Sequence, residues 1–194
     1  MPTHGWFSTP IYIDQLQDTE YDEVQQELFS TIKQLDFGQN PQWNRDTHEL
    51  NAHAFSQDIL TKFKCEKFLT VLDRHLNLYL DQIDCTYRRK YSISQSWFTK
   101  TKHGQYAHRH DHGATDISGV YYVQTNEKDG NLLMQPPSQA LSSNFVYSII
   151  NKDITFPLGQ GIIGLWPGNV VHETRANETQ DERISLSFNI QYER

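Results

Sequence analysis

Three histidines at alternate positions, His108, His110 and His112, have the types and spacing to do chemistry. An extended segment sends alternate side chains to the same face, so two or three imidazoles can be aimed at one point. Neutral imidazole is a common ligand for divalent metals. The run 117–123 that follows is rich in β-branched and aromatic residues and predicts a buried strand that would hold the histidines in place. Histidine-rich turns also occur without metals, so the cluster alone is a weak indication of a metal site.

A further histidine, His172, strengthens this hypothesis. It stands at the end of the segment GIIGLWPGNVVHE (161–173), after an apolar strand and a Pro-Gly turn. Two ligands on one strand and a third on a distant strand form a facial triad, which leaves three metal positions open for other molecules. The spacing therefore predicts a metal site that can also bind ligands.

Arg183 and Ser185 follow His172 in a regularly alternating strand and share its polar face. A guanidinium with a hydroxyl group beside it can bind a carboxylate, with two bonds from the arginine and one from the serine. The alternative is that Arg183 makes a surface salt bridge with Glu173 or Glu178. Beside a metal site, carboxylate binding is the better account of this pair.

The first part of the chain, 1–84, is predicted to brace the site rather than to form it. Its apolar residues recur with the period of helices, and one short strand precedes them. The predicted elements are an edge strand over 6–13 that contains Pro10, a helix from Thr19 to near Gly38, a long loop over 39–56, and a helix from between Ser56 and Glu66 to about Ile83.

The second part, 85–194, is predicted to fold as strands separated by turns. About eight strands with no helix between them predict a mainly β fold with N-terminal helices, a double-stranded β-helix of the jelly-roll or cupin-like barrel type. We expect a single domain over 1–194. The predicted elements between Asp84 and the last strand, 183–192, include strands at 91–97, 117–123, 132–135, 145–150, 162–166 and 170–174 and a hairpin turn over 126–130.

Other residues that could take part in chemistry are interpreted structurally. His48 and His53, in the predicted loop, are expected to be surface residues, and His75 on the second helix is expected to be structural. The aromatic residues Trp97, Tyr106 and Tyr121 are candidates for cavity walls, although each is first expected to belong to the core.

Composition limits the partners. The 194 residues include 24 acidic and 17 basic residues, giving a net charge of −7, which argues against nucleic acid as a partner. No apolar run approaches the length of a membrane span, so a soluble protein is expected. Cys65 and Cys85 are interpreted as reduced thiols in a cytoplasmic protein. An apolar edge strand would also be compatible with a homodimer.

These motifs resemble the 2-oxoglutarate/Fe(II)-dependent oxygenase superfamily, and within it a small branch found in bacteria and cyanophages. The resemblance extends over almost the whole chain, and the order of the motifs is more specific than any single motif. The matching motifs are Phe7–Pro10, His110–His112, the run SGVYYV (118–123), Gln135–Pro137, Leu165–Pro167 leading to His172, and RISLSFN (183–189).

The resemblance implies a double-stranded β-helix with Fe(II) as metal and 2-oxoglutarate as cosubstrate. It implies that the protein hydroxylates an unidentified substrate and releases succinate and CO2. On this family pattern His172 corresponds to the distal metal ligand, and Arg183 and Ser185 correspond to the residues that bind the far carboxylate of 2-oxoglutarate.

The chain departs from the family pattern at the other two ligands. The family has a histidine and an acidic residue two positions apart, whereas Asp111 directly follows His110 and so points to the other face. We therefore predict His110 and His112 as the pair, which gives three histidine ligands. The alternatives are His108 with His110, or Asp116 supplying the carboxylate from the following turn.

Two other functions are compatible with the sequence. A cupin shares the barrel and also combines a histidine pair with a later histidine, and it would bind metal, with or without dioxygenase activity, and without a cosubstrate. Arg183 and Ser185 and the two N-terminal helices favour the oxygenase. A metal-free jelly-roll interaction domain would leave the histidine cluster unexplained.

Overall fold

The structure is a computed structural model that describes residues 9–40, 43, 46–52, 54, 56–86, 88–136, 145–150 and 152–194. Most of its regular structure is β-strand, and three of the four helices precede the long strands. The helices are α1 (Asp18–Ile32), α2 (Ile59–Lys62), α3 (Glu66–Gln82) and α4 (Phe145–Ile150). The strands are β1 (Tyr12–Gln15), β2 (Phe37–Gln39), β3 (Glu49–Asn51), β4 (Tyr91–Thr101), β5 (Ile117–Gln124), β6 (Leu132–Met134), β7 (Ile154–Thr155), β8 (Ile162–Pro167), β9 (His172–Thr174) and β10 (Arg183–Tyr192).

The strands form two antiparallel sheets. The larger has seven strands in the order β1-β8-β5-β10-β4-β3-β2, and the smaller has three in the order β7-β6-β9. The first strand lies at the edge of the larger sheet, as predicted, but it spans Tyr12–Gln15 rather than 6–13, of which 6–8 lie outside the described residues. A large and a small antiparallel sheet preceded by helices confirm the predicted mainly β fold of the jelly-roll type.

The last strand, β10, separates the core from the polar interior of the fold. Its apolar residues Ile184, Leu186, Phe188 and Ile190 all belong to the main core cluster. Because side chains alternate along a strand, the polar residues between them project from the other face of the sheet. The predicted alternation is confirmed, and it places Arg183, Ser185, Ser187 and Asn189 on one inner face.

The helices cover the apolar face of the larger sheet. Side chains of α1 and α3 share the main core cluster with residues of β5, β8 and β10. The Glu27 carboxylate of α1 accepts hydrogen bonds from the backbone N–H groups of Lys67 (3.0 Å) and Phe68 (2.9 Å), which stabilises the first turn of α3. His75 is 2 % exposed and hydrogen-bonds to the Tyr12 hydroxyl (2.8 Å), so its predicted structural role is confirmed.

Several predicted elements differ from the structure in the N-terminal half. Helix α1 ends at Ile32 rather than near Gly38, and the predicted second helix is divided into α2 and α3 by Lys64, whose φ is +52°. The predicted loop over 39–56 contains β3, which pairs with β4 and extends the sheet. A strand of three residues is too short to show an apolar period, which explains why the sequence did not indicate it.

Residues 145–150, predicted as a strand, form the helix α4. The turn predicted to close a hairpin instead connects the two sheets. Leu133 and Met134 of β6 pair with β7 instead, so the 145–150 segment has no strand to join there. The turn over 126–130 links β5 of the larger sheet to β6 of the smaller one. Gly130 has φ +95°, as its predicted turn role requires, and a Cβ atom there would lie 2.2 Å from the carbonyl oxygen of Arg175.

The two cysteines, Cys65 and Cys85, are both free. Within the described ranges, none of the helices combines the length and the apolar character that a membrane crossing requires.

Candidate active site

A cavity of about 420 Å³ opens between the two sheets. Its walls come from β4, β5, β8 and β10 of the larger sheet and from β6 and β9 of the smaller one. This size is typical of cavities that bind small molecules. The cavity contains all three histidines predicted as metal ligands and both residues predicted to bind a carboxylate.

His110, His112 and His172, hereafter the triad, converge in this cavity. One ring nitrogen from each lies within 4.8 Å of the other two. The backbone brings two of them together, because the N–H of His110 donates to the carbonyl of His172 (2.9 Å) and the N–H of His172 donates to the carbonyl of His110 (2.8 Å). The N–H of His112 donates to the carbonyl of Gly168 (2.9 Å). His110 and His112 therefore lie on an extended segment before β5, rather than in a continuous strand as predicted.

The second ring nitrogen of each triad histidine is already engaged. Nδ1 of His110 lies 2.6 Å from the carbonyl oxygen of His108, and Nδ1 of His172 lies 2.8 Å from that of Val170. Nδ1 of His112 lies 2.5 Å from Oδ1 of Asn189. These oxygens only accept hydrogen bonds, so each Nδ1 carries the proton and each Nε2 keeps a lone pair. The three lone pairs are available for one metal ion.

Burial keeps the triad uncharged. Desolvation lowers the pKa of His110, lowers the pKa of His112 to about 4 and holds the pKa of His172 well below its ordinary value. Repulsion from the neighbouring imidazoles of His110 and His112 adds to the lowering of the His172 pKa. At neutral pH the three rings are therefore neutral, which is the form that binds metals.

Arg183 and Ser185, hereafter the clamp, lie in the same cavity on β10. The Arg183 side chain donates through NH1 to the carbonyl oxygens of Asp129 (3.0 Å) and Gly130 and through NH2 to the hydroxyl of Thr101 (3.2 Å). The Ser185 hydroxyl is hydrogen-bonded to that of Thr99 (2.6 Å). Thr101 and Thr99 stand directly opposite Arg183 and Ser185 on β4, so the strand register fixes the clamp.

The buried Arg183 guanidinium has no ion-pair partner among the described residues, although the Asp129 charge acts on it. Arg183 is 3 % exposed, and its Nε has no hydrogen-bond partner among the described residues. Among the described residues, no carboxylate forms an ion pair with Arg183. Glu173, its predicted alternative partner, is bound to Arg109 instead (3.3 Å). A buried charge is costly unless an opposite charge compensates it, and burial lowers the pKa of Arg183 accordingly. A carboxylate in the cavity would complete this arrangement.

The alternative ligands lie outside the triad. The His108 ring packs against Trp43, with ring centroids 5.6 Å apart, and against Tyr106 at 5.0 Å. The Asp116 carboxylate accepts hydrogen bonds from the backbone N–H of Tyr192 (2.8 Å) and the side chain of Gln191 (2.5 Å). Asp116 therefore holds the end of β10.

The wall of the cavity includes residues that were not expected there. His48, predicted to lie on the surface, is 8 % exposed, and burial with the nearby Arg183 charge lowers its pKa to about 3. Trp43 lies beside it, with ring centroids 5.2 Å apart. Both come from a segment without an apolar period, and only its richness in polar and aromatic residues could have indicated them. His53 lies outside the described residues.

The three candidate aromatic residues have different positions. Trp97 lines the cavity and packs against His112 with ring centroids 5.7 Å apart. Tyr121 is fully buried in the main core cluster, as first expected. Tyr106 packs against His108.

Solved structures with the same fold include enzymes described as alpha-ketoglutarate dependent or solved with 2-oxoglutarate bound. The chain is similar to the non-heme alpha-ketoglutarate-dependent epimerase SnoN from nogalamycin biosynthesis (TM-score 0.68, 15% identity, 95% of this chain and 78% of that one). It is similar to a Pseudomonas putida prolyl-4-hydroxylase (TM-score 0.61, 15% identity, 96% and 94%). It is also similar to HygX from Streptomyces hygroscopicus, solved with nickel and 2-oxoglutarate bound (TM-score 0.64, 14% identity, 95% and 83%). At these identities the similarity shows the fold alone. No curated protein matches the chain by sequence.

A family model also matches the part of the chain that forms this cavity. Residues 95–189, just under half of the chain, match the model of the family described as "Putative 2OG-Fe(II) oxygenase". The segment includes the triad and the clamp. The prediction of a 2-oxoglutarate-dependent oxygenase that uses Fe(II) is therefore confirmed at the level of the family, which favours this function over a cupin.

Proposed function

We propose that the chain binds Fe(II) through Nε2 of His110, His112 and His172 and the far carboxylate of 2-oxoglutarate through Arg183 and Ser185. We propose that it hydroxylates a C–H bond of an unidentified substrate. The observation that carries this proposal is the coexistence, in one cavity, of three neutral imidazoles with free lone pairs and a buried guanidinium whose Nε has no hydrogen-bond partner among the described residues.

The triad fits a divalent metal. Three imidazole nitrogens on one side of the cavity are ligands suited to iron, and they leave other metal positions open. The usual facial triad has two histidines and a carboxylate, whereas these three ligands are all neutral. The metal would therefore keep its full charge in the protein, which favours an anionic cosubstrate beside it.

The clamp fits the far carboxylate of 2-oxoglutarate. Nε of Arg183 offers an unused donor, and the hydrogen bonds from NH1 and NH2 fix the plane of the guanidinium before a ligand binds. Ser185 provides a hydroxyl on the same face of β10. A dicarboxylate can therefore reach from the clamp towards the triad within one cavity.

The residues of the chain would orient the reactants and exclude water. Bound Fe(II) supplies the oxidising chemistry, in which O2, 2-oxoglutarate and a substrate C–H bond give succinate, CO2 and a C–OH group. Three tryptophans shield the triad, with ring centroids 5.0 Å from His110 (Trp43), 5.7 Å from His112 (Trp97) and 5.4 Å from His172 (Trp166). An apolar shell of this kind limits solvent access to a metal site.

Anaerobic titration with Fe(II) and 2-oxoglutarate tests the proposal. The wild-type protein should give a visible metal-to-ligand charge-transfer band, which His172→Ala abolishes and Arg183→Ala weakens. Arg175→Ala is the matched control, because this arginine is exposed and should leave the band unchanged. Metal binding without a band that depends on 2-oxoglutarate would instead indicate a cupin-like site, and failure to bind metal would indicate an interaction domain.

We also propose one domain over 1–194 in a cytoplasmic protein. The core shared by α1, α3 and five strands of the larger sheet supports one domain, and the free thiols Cys65 and Cys85 support a reducing compartment. The acidic net charge supports small molecules rather than nucleic acid as partners. A homodimer would form most simply along the edge strand β1, where Ile13 is 45% exposed. Sedimentation analysis would distinguish a monomer from a dimer.

A further inference from the structure

Asn189 lies against the triad without belonging to it. It is buried on β10, on the same face as the clamp, and its side-chain oxygen Oδ1 lies 2.5 Å from Nδ1 of His112. The Ser118 hydroxyl lies 3.0 Å from the same oxygen and 2.9 Å from the same imidazole nitrogen. The Asn189 amide donates through Nδ2 to Oε1 of Gln95 (3.3 Å). Four side chains from β4, β5, β10 and the segment before β5 thus form one hydrogen-bonded network.

The orientation of the Asn189 amide in the structure determines the donors of the network. Because Nδ2 of Asn189 donates to Gln95, its Oδ1 faces His112 and Ser118 and can only accept. The Ser118 hydroxyl therefore donates to Oδ1, and Nδ1 of His112 carries a proton that it shares between the amide and hydroxyl oxygens. Nε2 of His112 is left unprotonated on the side of the other triad histidines.

The groups that accept the Nδ1 proton of His112 differ in kind from those of the other two triad residues. Nδ1 of His110 and Nδ1 of His172 donate to backbone carbonyls two residues earlier in their own segments. A side-chain substitution does not remove those acceptors. The acceptors of His112 belong to side chains on β5 and β10, so its tautomer and ring orientation depend on residues distant in sequence.

We infer that Asn189, held by Gln95 and Ser118, is a positioning residue that fixes His112 with Nε2 directed at the metal. The inference rests on the proposed function, since it assigns His112 as a ligand. Groups that hydrogen-bond to a metal-bound histidine orient the ring and set its basicity, and their loss typically reduces metal affinity about 10–100-fold.

The amide at this position also sets the charge behind His112. Asn189 supplies a neutral acceptor, so it adds no negative charge to the ligand. In Asn189→Asp a carboxylate would accept the same proton and make His112 a more basic ligand, while adding one negative charge beside the site. We expect this variant to bind a divalent metal at least as tightly as the wild-type protein.

Anaerobic calorimetric titration with Co(II), without 2-oxoglutarate, tests the inference. Asn189→Leu should lower Co(II) affinity about 10–100-fold, and Asn189→Asp should restore it or exceed the wild-type value. Ser187→Ala is the control, because this residue lies two positions away on the same face of β10 and should leave Co(II) affinity within twofold. An Asn189→Leu protein that binds Co(II) like wild type, or an Asn189→Asp protein as weak as Asn189→Leu, would overturn the inference.

A measurement on the metal-free protein separates positioning from general destabilisation. In two-bond ¹H–¹⁵N correlation spectra, His112 should be in the Nδ1–H form in the wild type and should lose this preference in Asn189→Leu. His110 and His172 should keep theirs. If Asn189→Leu does not fold, the smaller change Ser118→Ala should produce the same selective effect, and unchanged His112 signals there would contradict the inference.

The same Co(II) titration distinguishes failure of the proposed metal site from failure of the positioning role. A wild-type protein that binds no Co(II) would contradict the metal site itself, whereas wild-type binding with no effect at Asn189 would contradict only the positioning role. His112→Ala, which removes the ligand and leaves Asn189 in place, should abolish the high-affinity binding and gives the reference value for complete loss.

Discussion

The clamp and the triad share one cavity but are held by different kinds of backbone. Arg183 and Ser185 belong to the ten-residue strand β10, which pairs along its length with the eleven-residue β4. Two triad members instead meet through an isolated bridge between His110 and His172, on an extended segment and a three-residue strand. The anion end is therefore fixed by the whole sheet, whereas at the metal end His110 and His172 depend on a few local hydrogen bonds.

This difference predicts how separable the two ends are. Residues in the centre of a sheet open only with the sheet, while short segments held by few bonds respond locally to substitution. Changes at the clamp should thus alter cosubstrate binding without disturbing the triad, and small changes around the triad should alter metal binding without unfolding the sheet.

The largest effect is expected for Arg183→Met. This substitution keeps a long side chain in the cavity but removes the buried cation. Loss of one partner of a buried charge pair typically costs about 2–5 kcal/mol, so 2-oxoglutarate affinity should fall at least about 30-fold. Calorimetry with Co(II) present would measure it. Co(II) affinity without 2-oxoglutarate should stay within twofold, and a parallel loss of metal binding would show that the two ends are not independent.

Removal of a triad ligand should have the reciprocal effect. Co(II) at a concentration 100 times its dissociation constant should stabilise the wild-type protein by about 3 kcal/mol, because a ligand that binds only the folded state adds its binding energy to folding. His110→Ala should abolish this stabilisation in denaturant unfolding experiments. If cobalt still stabilised this variant, the ligand set would have to be revised.

The pH dependence of the unfolding free energy of the metal-free protein should report on His48, which lies in the cavity wall near Arg183. His48 has a pKa of about 3 in the folded protein and near 6.5 when unfolded, so the unfolded state binds more protons between these values. The contribution of His48 to the unfolding free energy is complete above about pH 6.5. As the pH falls below this value the unfolding free energy decreases, and His48 accounts for about 2 kcal/mol of the decrease at pH 5. The unfolding free energy of His48→Asn should decrease correspondingly less over this range. Identical pH profiles would place the His48 ring in solvent.

The smallest effect is expected for Asp116→Ala. Its carboxylate accepts two hydrogen bonds at the end of β10, and it is partly exposed, so its loss should cost about 1 kcal/mol of unfolding free energy. Co(II) affinity should be unchanged. A large loss of metal binding in this variant would instead restore Asp116 as a ligand.

The sequence was sufficient for the parts of the site that follow strand periodicity. The alternation in β10 placed Arg183 and Ser185 on the inner face and Ile184 and Leu186 in the core, because side-chain direction depends only on position along the strand. The histidine spacing likewise placed His110 and His112 on one side of an extended segment.

Contacts between distant segments could not be predicted in this way. Asn189 lies 77 residues from His112, and no local pattern relates the two. Residues Trp43 and His48 reach the cavity because the short strand β3 joins the edge of β4, a pairing too brief to show a period. The apolar run at 145–150 has strand-forming residues, yet it is helical because β7 occupies the available edge of β6.

The bridge between His110 and His172 also determines how the metal is taken up. The two residues are partners in a single antiparallel rung, so the separation of their imidazoles is fixed when the chain folds and before any ion arrives. Little backbone entropy remains to be lost on metal binding. The amide protons of both residues are already hydrogen-bonded without metal, so they should be protected from solvent exchange before loading, and loading should protect them further.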